Sequence, residues 1–366
     1  MSPRIERKPL EHPLPVAERL ERTRSAAFGS ALTEHLVSVE WDAEQGWHSA
    51  QLQPYEPLLM DPAMVGLHYG QVVFEGVKAF RTPDGAIRIF RPEAHARRFQ
   101  DSARRLMMPE MPQDLFVAAL DELTRQDQDW LPDDPEMSLY LRPLLYGSER
   151  TLALRPARQY RFLLMAFVTE AYFGRDQKPV RVWVTEEFSR AAAGGTGAAK
   201  CAGNYAGSLL AQEQAKAKGC DQVVWLDSAE HRWVEEMGGM NLFFVHGSGA
   251  DTRLTTPPLT GTLLPGVTRA SLLDLAADLG IPAAEEPLSL DAWRAGCVSG
   301  EITEVFACGT AARVSPVNEV ATADGSWVIG DGRTGPLTAR LAELLTSVQQ
   351  GTAPDAHGWM HDVPLA

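Results

Sequence analysis

Cysteine is scarce in this chain. Cys201, Cys220, Cys297 and Cys308 are the only four in 366 residues, and no two of them form a CxxC pair. No histidine stands at metal-ligand spacing beside them, so neither a zinc site nor a disulfide framework is indicated and no metal is expected. Basic runs are lacking as well. With 34 Lys and Arg against 48 Asp and Glu the formal net charge is −14. A nucleic-acid partner, which requires a basic footprint, is therefore not expected, although a local basic pocket for a small anion stays open. Long apolar runs are missing too: the longest, Phe162 to Val168, falls far short of the roughly 20 residues a membrane span needs. The N-terminal residues hold no apolar stretch of the signal-peptide kind. These absences lead to the expectation of a soluble, cytoplasmic protein with reduced thiols and no membrane partner. No solenoid repeat is visible.

What is present is ordinary for a folded protein: 45% hydrophobic and 22% charged residues, at a length that suggests two domains. Residues 1–30 mix charge with proline (Arg4, Glu6, Arg7, Lys8, Pro9, Pro13, Pro15) and read as a loosely held arm. A hairpin follows, Val77–Arg81 and Ala86–Phe90 around a Thr82-Pro83-Asp84-Gly85 turn. Helices are expected from Pro92 to about Met108 and from Asp114 to Arg125, then strands at Ser138–Leu145 and Tyr160–Val168, the latter central because it is nearly all apolar. Glycine, proline and charge over residues 171–179 mark a boundary. The chain divides on this reading into a small domain at 31–174, a linker at 175–181 and a larger domain at 182–366. The second half mixes strands (Val180–Thr185, Gln222–Asp227, Trp233–Glu236, Asn241–Val245, Ile302–Cys308, Arg313–Val317) with helices (Gly203–Lys218, Val267–Leu279, Pro336–Gln349). Strands outnumber helices without strict βαβα alternation, which makes the fold class α+β.

The segment Ala193-Gly194-Gly195-Thr196-Gly197-Ala198-Ala199-Lys200 is the most suggestive. It is not an ATPase phosphate loop, because Ala199 precedes the lysine and Cys201 follows it. Nor is it a dinucleotide fingerprint, because Lys200 stands where the third glycine belongs. A surface lysine in a flexible loop is the plain alternative. Against it, Lys200 is hemmed in by Ala198, Ala199, Cys201, Ala202 and Gly203, surroundings that can desolvate the amine and make it nucleophilic. In Glu235-Glu236-Met237-Gly238-Gly239 two adjacent glutamates on a strand point to opposite faces, so one can lie inside while the other is wet; a solvated acidic turn is the plain alternative. Leu264-Pro265-Gly266-Val267-Thr268-Arg269 leads into a helix whose first N–H groups can bind an anion. Cys308-Gly309-Thr310-Ala311-Ala312 brings backbone close to a ligand or merely turns. Arg97 and Arg98 diverge by about 100° on a helix, so one can point inward. Tyr140 and Arg142 share one strand face, opposite Leu139 and Leu141.

Taken in order, these segments resemble the branched-chain amino acid aminotransferases, members of the fold-type IV pyridoxal-phosphate enzymes. The resemblance runs from about Trp41 to Trp359 and is carried by Tyr69-Gly70-Gln71-Val72-Val73-Phe74-Glu75-Gly76, by Gly195 to Tyr205, by Glu235 to Asn241 and by Leu264 to Arg269. It implies a two-domain D-amino-acid-aminotransferase-like fold with pyridoxal 5′-phosphate at the domain interface. Lys200 then corresponds to the Schiff-base lysine and proton shuttle, Tyr205 to the tyrosine on the ring oxygen, and Glu236 to the carboxylate on the pyridine nitrogen. Arg98, Val267, Thr268 and Thr310 correspond to the phosphate ligands. Thr310 and Ala311 correspond to donors for the substrate α-carboxylate, and Tyr69, Phe74, Tyr140 and Tyr172 to the side-chain pocket. Arg142 corresponds to the arginine that takes glutamate's distal carboxylate. A homodimer is implied, with Tyr69 reaching across to the partner.

Two departures stand out. Where mammalian members carry a redox CxxC this chain has Ala312 and Ser315, and where some bacterial members have a pocket tryptophan it has Thr169. The implied reaction is reversible amino transfer between L-leucine, L-isoleucine or L-valine and 2-oxoglutarate. Rival readings on the same fold are a D-amino-acid aminotransferase and an aminodeoxychorismate lyase. A rival of another class is a non-catalytic regulator that binds a nucleotide through the glycine-rich loop.

Overall fold

The computed structural model describes residues 3–24, 27–170 and 178–364. They fall into two compact units. One takes the described residues up to Glu170 with Ala199–Ala202 and those from Val348 onward; the other takes those of 178–198 with Gly203–Ser347.

The first unit contains strands β1 (Glu6–Arg7), β2 (His35–Asp42), β3 (Gly46–Pro54), β4 (Val72–Phe74), β5 (Val77–Arg81), β6 (Ile87–Phe90), β7 (Ser138–Gly147) and β8 (Gln159–Thr169). Its helices are α1 (Val16–Thr23), α2 (Val65–Tyr69), α3 (Pro92–Arg105) and α4 (Gln113–Gln126). With a short strand at Met360–Asp362 they form a nine-stranded sheet in the order β1-β3-β2-β8-β7-β5-β6 and then that last strand, with β4 on β7. The apolar strand β8 is central, as its sequence predicts, because α4 covers it: the rings of Phe99, Phe116 and Phe162 meet with centroids 5.4 to 6.3 Å apart. Proline at the first position of α3 suits the helix start.

Two expectations need correction here. The N-terminal residues are docked: β1 pairs with β3, the Leu10 N–H donates to His35 Nε2, and buried Arg19 holds Glu34 at 2.9 Å. Their charges looked solvated because the partners lie far along the chain. The domain division also shifts. Lys200 donates its N–H to Ser102, Cys201 bridges Val73, and Met360–Asp362 pairs with β6, so 199–202 and the C-terminal residues belong to the first unit. Val180 and Arg181, placed in the linker, begin a strand. Residues 175–177 of that linker, and Tyr172, lie outside the described residues.

The second unit contains β9 (Val180–Val184), β10 (Gln222–Leu226), β11 (Val234–Met237), β12 (Met240–His246), β13 (Arg253–Thr256), β14 (Ala283–Glu285), β15 (Ile302–Gly309), β16 (Arg313–Thr322) and β17 (Gly325–Val328). Its helices are α5 (Ala202–Ala206), α6 (Leu209–Ala217), α7 (Val267–Asp278), α8 (Leu290–Ser299) and α9 (Pro336–Gln349). The order β11-β10-β9-β16-β15-β12 closes on itself because β11 also pairs with β12. A closed ring has no open edges, and its interior is apolar, with Val182, Val224, Leu242, Phe244, Val305 and Val320 all fully buried. The single helix expected over Gly203–Lys218 is broken: Ser208 Oγ donates to the Tyr205 carbonyl at 2.7 Å between α5 and α6, the kind of Gly-Ser interruption that bends helices. Among the described residues no helix is long and apolar enough to cross a membrane.

Candidate active site

Lys200 has its backbone fixed on two sides within the first unit. Its N–H donates to Ser102 Oγ on α3 at 2.9 Å, and its carbonyl accepts the Phe74 N–H from β4 at 3.0 Å. The side chain is left to reach outward from a rigid base, with Nζ 5.0 Å from the Phe74 ring centroid. A cation near an aromatic face is attracted to it, and that wall also sheds water.

The helical geometry of α3 turns Arg98 inward, buried, while Arg97 is exposed. Arg98 forks onto Glu75, with Nε 2.7 Å from Oε1 and Nη2 2.8 Å from Oε2, and His95 Nδ1 lies 3.0 Å from Oε2. Burial alone would push the Glu75 carboxyl up, but the Arg98 charge and hydrogen bonds, joined by His95, hold it well below the usual range.

On β7, Leu139 and Leu141 enter the core while Tyr140 and Arg142 share the other face. The Arg142 guanidinium carbon lies 5.1 Å from the Phe74 ring centroid and 5.4 Å from that of Tyr140. Its Nε is buried and, among the described residues, has no hydrogen-bond partner. Tyr140 stacks on Phe167 at 4.8 Å, and Phe28 stands edge-on to both. A Cβ at Gly76 would fall 1.8 Å from the Tyr140 hydroxyl, so only glycine lets that ring approach the backbone. Phe28, set aside in the N-terminal arm by the sequence reading, is thus an aromatic neighbour of Tyr140. Tyr69 is exposed and donates its hydroxyl to the Leu152 carbonyl at 2.8 Å.

In the second unit both Glu235 and Glu236 are buried, so neither is the wet residue that strand alternation allowed. Strand β11 belongs to the closed ring, and partners meet it on each face. Glu235 accepts from the Thr262 hydroxyl. Glu236 Oε1 accepts the Leu264 N–H at 2.6 Å, and Oε2 lies 3.0 Å from Arg190 Nε. The two carboxyls are therefore unlike: burial raises Glu235, with Thr262 opposing and Glu236 adding, whereas Glu236 has a guanidinium counter-ion. Arg190, which the sequence reading missed, also donates to the carbonyls of Thr262 and Gly197.

Val267 and Thr268 open α7 behind Gly266, and no side chain caps that end. A Cβ on Gly266 would meet Asn241 Oδ1 at 2.1 Å, so the glycine is required. Tyr205 on α5 is half-buried, and a Cβ at Gly239 would sit 3.5 Å from its ring. Thr310 and Ala311 are half-buried in the turn between β15 and β16, where Gly309 pairs with Arg313. Arg313 takes a left-handed φ of 58°, a conformation stored at few non-glycine positions outside tight turns.

The cysteines bear on redox behaviour. Cys201 and Cys308 are buried, and burial pushes the Cys308 thiol far up. With Ala312 and Ser315 at the two positions where a redox CxxC would stand, mild peroxide is expected to leave activity largely intact. Rapid inactivation reversed by dithiothreitol would contradict this and would implicate Cys201. Among the described residues no group of three or more His, Cys, Asp or Glu side chains is arranged to hold a metal.

The chain has counterparts among known proteins. The family described as Amino-transferase class IV matches residues 72–320. The branched-chain-amino-acid aminotransferase of Mycolicibacterium smegmatis is 54% identical over 334 residues, 91% of each chain. A probable branched-chain-amino-acid aminotransferase of Streptomyces coelicolor is 50% identical over 361 residues, 98% of this chain and 99% of that protein. Among solved structures, Escherichia coli branched-chain amino acid aminotransferase gives a TM-score of 0.74 at 28% identity, covering 89% of this chain and 99% of that one. Another branched-chain amino acid aminotransferase, complexed with N-(5′-phosphopyridoxyl)-L-glutamate, gives 0.70 at 29% identity, with 89% and 99% covered. The chain belongs to the class IV aminotransferases.

Proposed function

We propose that this chain catalyses reversible transamination of L-leucine, L-isoleucine and L-valine with 2-oxoglutarate, using pyridoxal 5′-phosphate. The observation that carries the reading is the pair of cations stationed on Phe74: the Lys200 amine at 5.0 Å and the Arg142 guanidinium at 5.1 Å. An apolar side chain finds an aromatic wall there, and a carboxylate finds a guanidinium whose Nε has no partner among the described residues. Relatives named for branched-chain substrates, 54% and 50% identical over most of the chain, point the same way.

The residues fit the cofactor. It needs an amine, an anion for its ring nitrogen and donors for its phosphate. Lys200 supplies the first, Glu236 the second, and the uncapped start of α7 at Val267 and Thr268 belongs to the third. When bound, the cofactor supplies a protonated ring that accepts the electron pair released at the substrate Cα. Lys200 would hold the cofactor and serve as the base for the substrate's Cα proton. Glu236, anchored by Arg190 and the Leu264 N–H, holds the proton on the ring nitrogen. Tyr205 would donate to the ring oxygen, and Arg98, Val267, Thr268 and Thr310 would take the phosphate. Thr310 and Ala311 offer backbone donors to the α-carboxylate. Phe74 and Tyr140 would line the side-chain pocket, to which the resemblance adds Tyr172 and a Tyr69 from the partner, and Arg142 would receive the distal carboxylate of glutamate.

A homodimer completes the proposal, with Tyr69 contributed to the partner's pocket. Supporting it, Tyr69, Leu67, Leu152 and Leu154 are all exposed on two segments joined by the Tyr69–Leu152 hydrogen bond; a patch of this kind calls for a covering surface. Four free thiols suit a reducing compartment, so the cytoplasm is proposed.

The test is a half-reaction screen. The purified yellow holoenzyme is mixed with single L- and D-amino acids while the cofactor spectrum is followed. L-leucine, L-isoleucine, L-valine and L-glutamate are expected to shift it and D-alanine to leave it unchanged. A response to D-amino acids alone would favour the D-amino-acid aminotransferase reading.

A further inference from the structure

We infer that Glu75 is a positioning residue for cofactor binding: it fixes the plane and direction of the Arg98 guanidinium for the phosphate without touching the cofactor itself. This rests on the reading of Arg98 as a phosphate ligand.

Glu75 is completely buried, between Phe74, whose N–H holds the Lys200 carbonyl, and Gly76. Both its oxygens are engaged by the Arg98 fork, and Oε2 also faces His95 Nδ1 at 3.0 Å and the Gly76 N–H at 3.1 Å. Replacing a buried ion pair by apolar groups is often neutral or stabilising, so stability alone does not account for this one. Orientation does. An arginine side chain loses considerable rotamer freedom when it grips a ligand, and a bidentate carboxylate removes that freedom beforehand. By covalent geometry the Nε–Nη2 edge faces Glu75, which turns Nη1 away from the carboxylate. His95, Arg98 and Ser102 lie three and four residues apart on the buried face of α3, and Ser102 accepts the Lys200 N–H. Through Glu75 on the strand side and Ser102 on the helix side, the guanidinium and the amine are referred to one frame. The sequence offered only the i, i+3, i+7 spacing as a signal.

The test uses the full chain stripped of cofactor and titrated with pyridoxal phosphate or with pyridoxal, which has the same ring and aldehyde but no phosphate. Dissociation constants are read from visible absorbance. Glu75→Gln puts an amide donor against the Arg98 donors, and is expected to reduce the preference for pyridoxal phosphate over pyridoxal by about tenfold or more. The pyridoxal constant should stay within about threefold, since no phosphate contact is involved. Arg98→Met should lose at least as much preference, and adding Glu75→Gln to it should cost nothing further if Glu75 acts through Arg98. If Glu75→Gln does not fold, Glu75→Asp, which keeps the charge but draws it back, is read by the same ratio. A Glu75 variant with the wild-type ratio, or one that weakens both ligands equally, overturns the inference while Arg98 keeps its role. A wild-type ratio in Arg98→Met overturns the phosphate reading of Arg98 itself.

Discussion

Lys200→Ala is expected to fold and to lose amino transfer by at least about 10⁴-fold, the upper end of what a positioned general base contributes. The expectation that it folds comes from the way the residue is held. Both anchors, to Ser102 Oγ and from the Phe74 N–H, use the main chain of Lys200 and survive in alanine. The side chain is only half-buried, so truncation opens no sealed cavity. What disappears is the amine beside Phe74, and with it, on the role proposed for Lys200, both the covalent attachment of the cofactor and the base that moves the Cα proton. The measurement pairs leucine–2-oxoglutarate turnover at saturating cofactor with a thermal unfolding midpoint. The cofactor spectrum of the variant should also lack the band of a lysine-bound aldehyde. Turnover within tenfold of the unsubstituted protein would remove the central assignment. The nucleotide-binding reading of the glycine-rich loop instead predicts a colourless protein with no turnover before or after the substitution.

The parts of this site that were legible in the sequence are those governed by local rules. Helical spacing separates Arg98 from Arg97, strand alternation puts Tyr140 and Arg142 opposite Leu139 and Leu141, and the observed elements follow. Small residues around Lys200 announced a lysine with room beside it. What escaped depends on pairing across distance. Glu75 carries no local signal of its own because its partners His95 and Arg98 lie 20 and 23 residues on. Arg190 had no local feature at all; its role comes from Glu236 and from the Thr262 and Gly197 carbonyls. Glu235 was misjudged because alternation names two faces but cannot say that a closed sheet and a covering segment leave neither wet. Strand β3 is hard to read because only Ala50 and Leu52 of Gly46–Pro54 are buried, set among polar neighbours. The available clue was the turn before it, where Asp42 Oδ1 accepts the N–H groups of Glu44 and Gln45 and Gly46 takes a left-handed φ of 72°.

Arg142→Met is expected to separate the two half-reactions. One pocket must accept leucine, which brings an apolar side chain, and glutamate, which brings a charge whose burial without a partner is costly. Arg142 lies over the rings of Phe74 and Tyr140 with its Nε buried and, among the described residues, without a hydrogen-bond partner. A guanidinium in that state tolerates an apolar neighbour through its flat face and rewards a carboxylate through its edge, where forked N–H bonds can form. Methionine keeps an unbranched apolar stem against the two rings but has no donor. The glutamate half-reaction should therefore fall by about 2–5 kcal/mol, the scale for truncating one partner of a buried charge pair. At about 1.4 kcal/mol per decade this is roughly 30-fold to a few thousand-fold in rate constant over dissociation constant. The leucine half-reaction should change by less than about threefold, because no charge on its side chain requires matching. Single-turnover mixing of the holoenzyme with each amino acid measures both. Equal losses for leucine and glutamate would mean that Arg142 holds the α-carboxylate common to both, or the fold around Tyr140, and not the distal carboxylate.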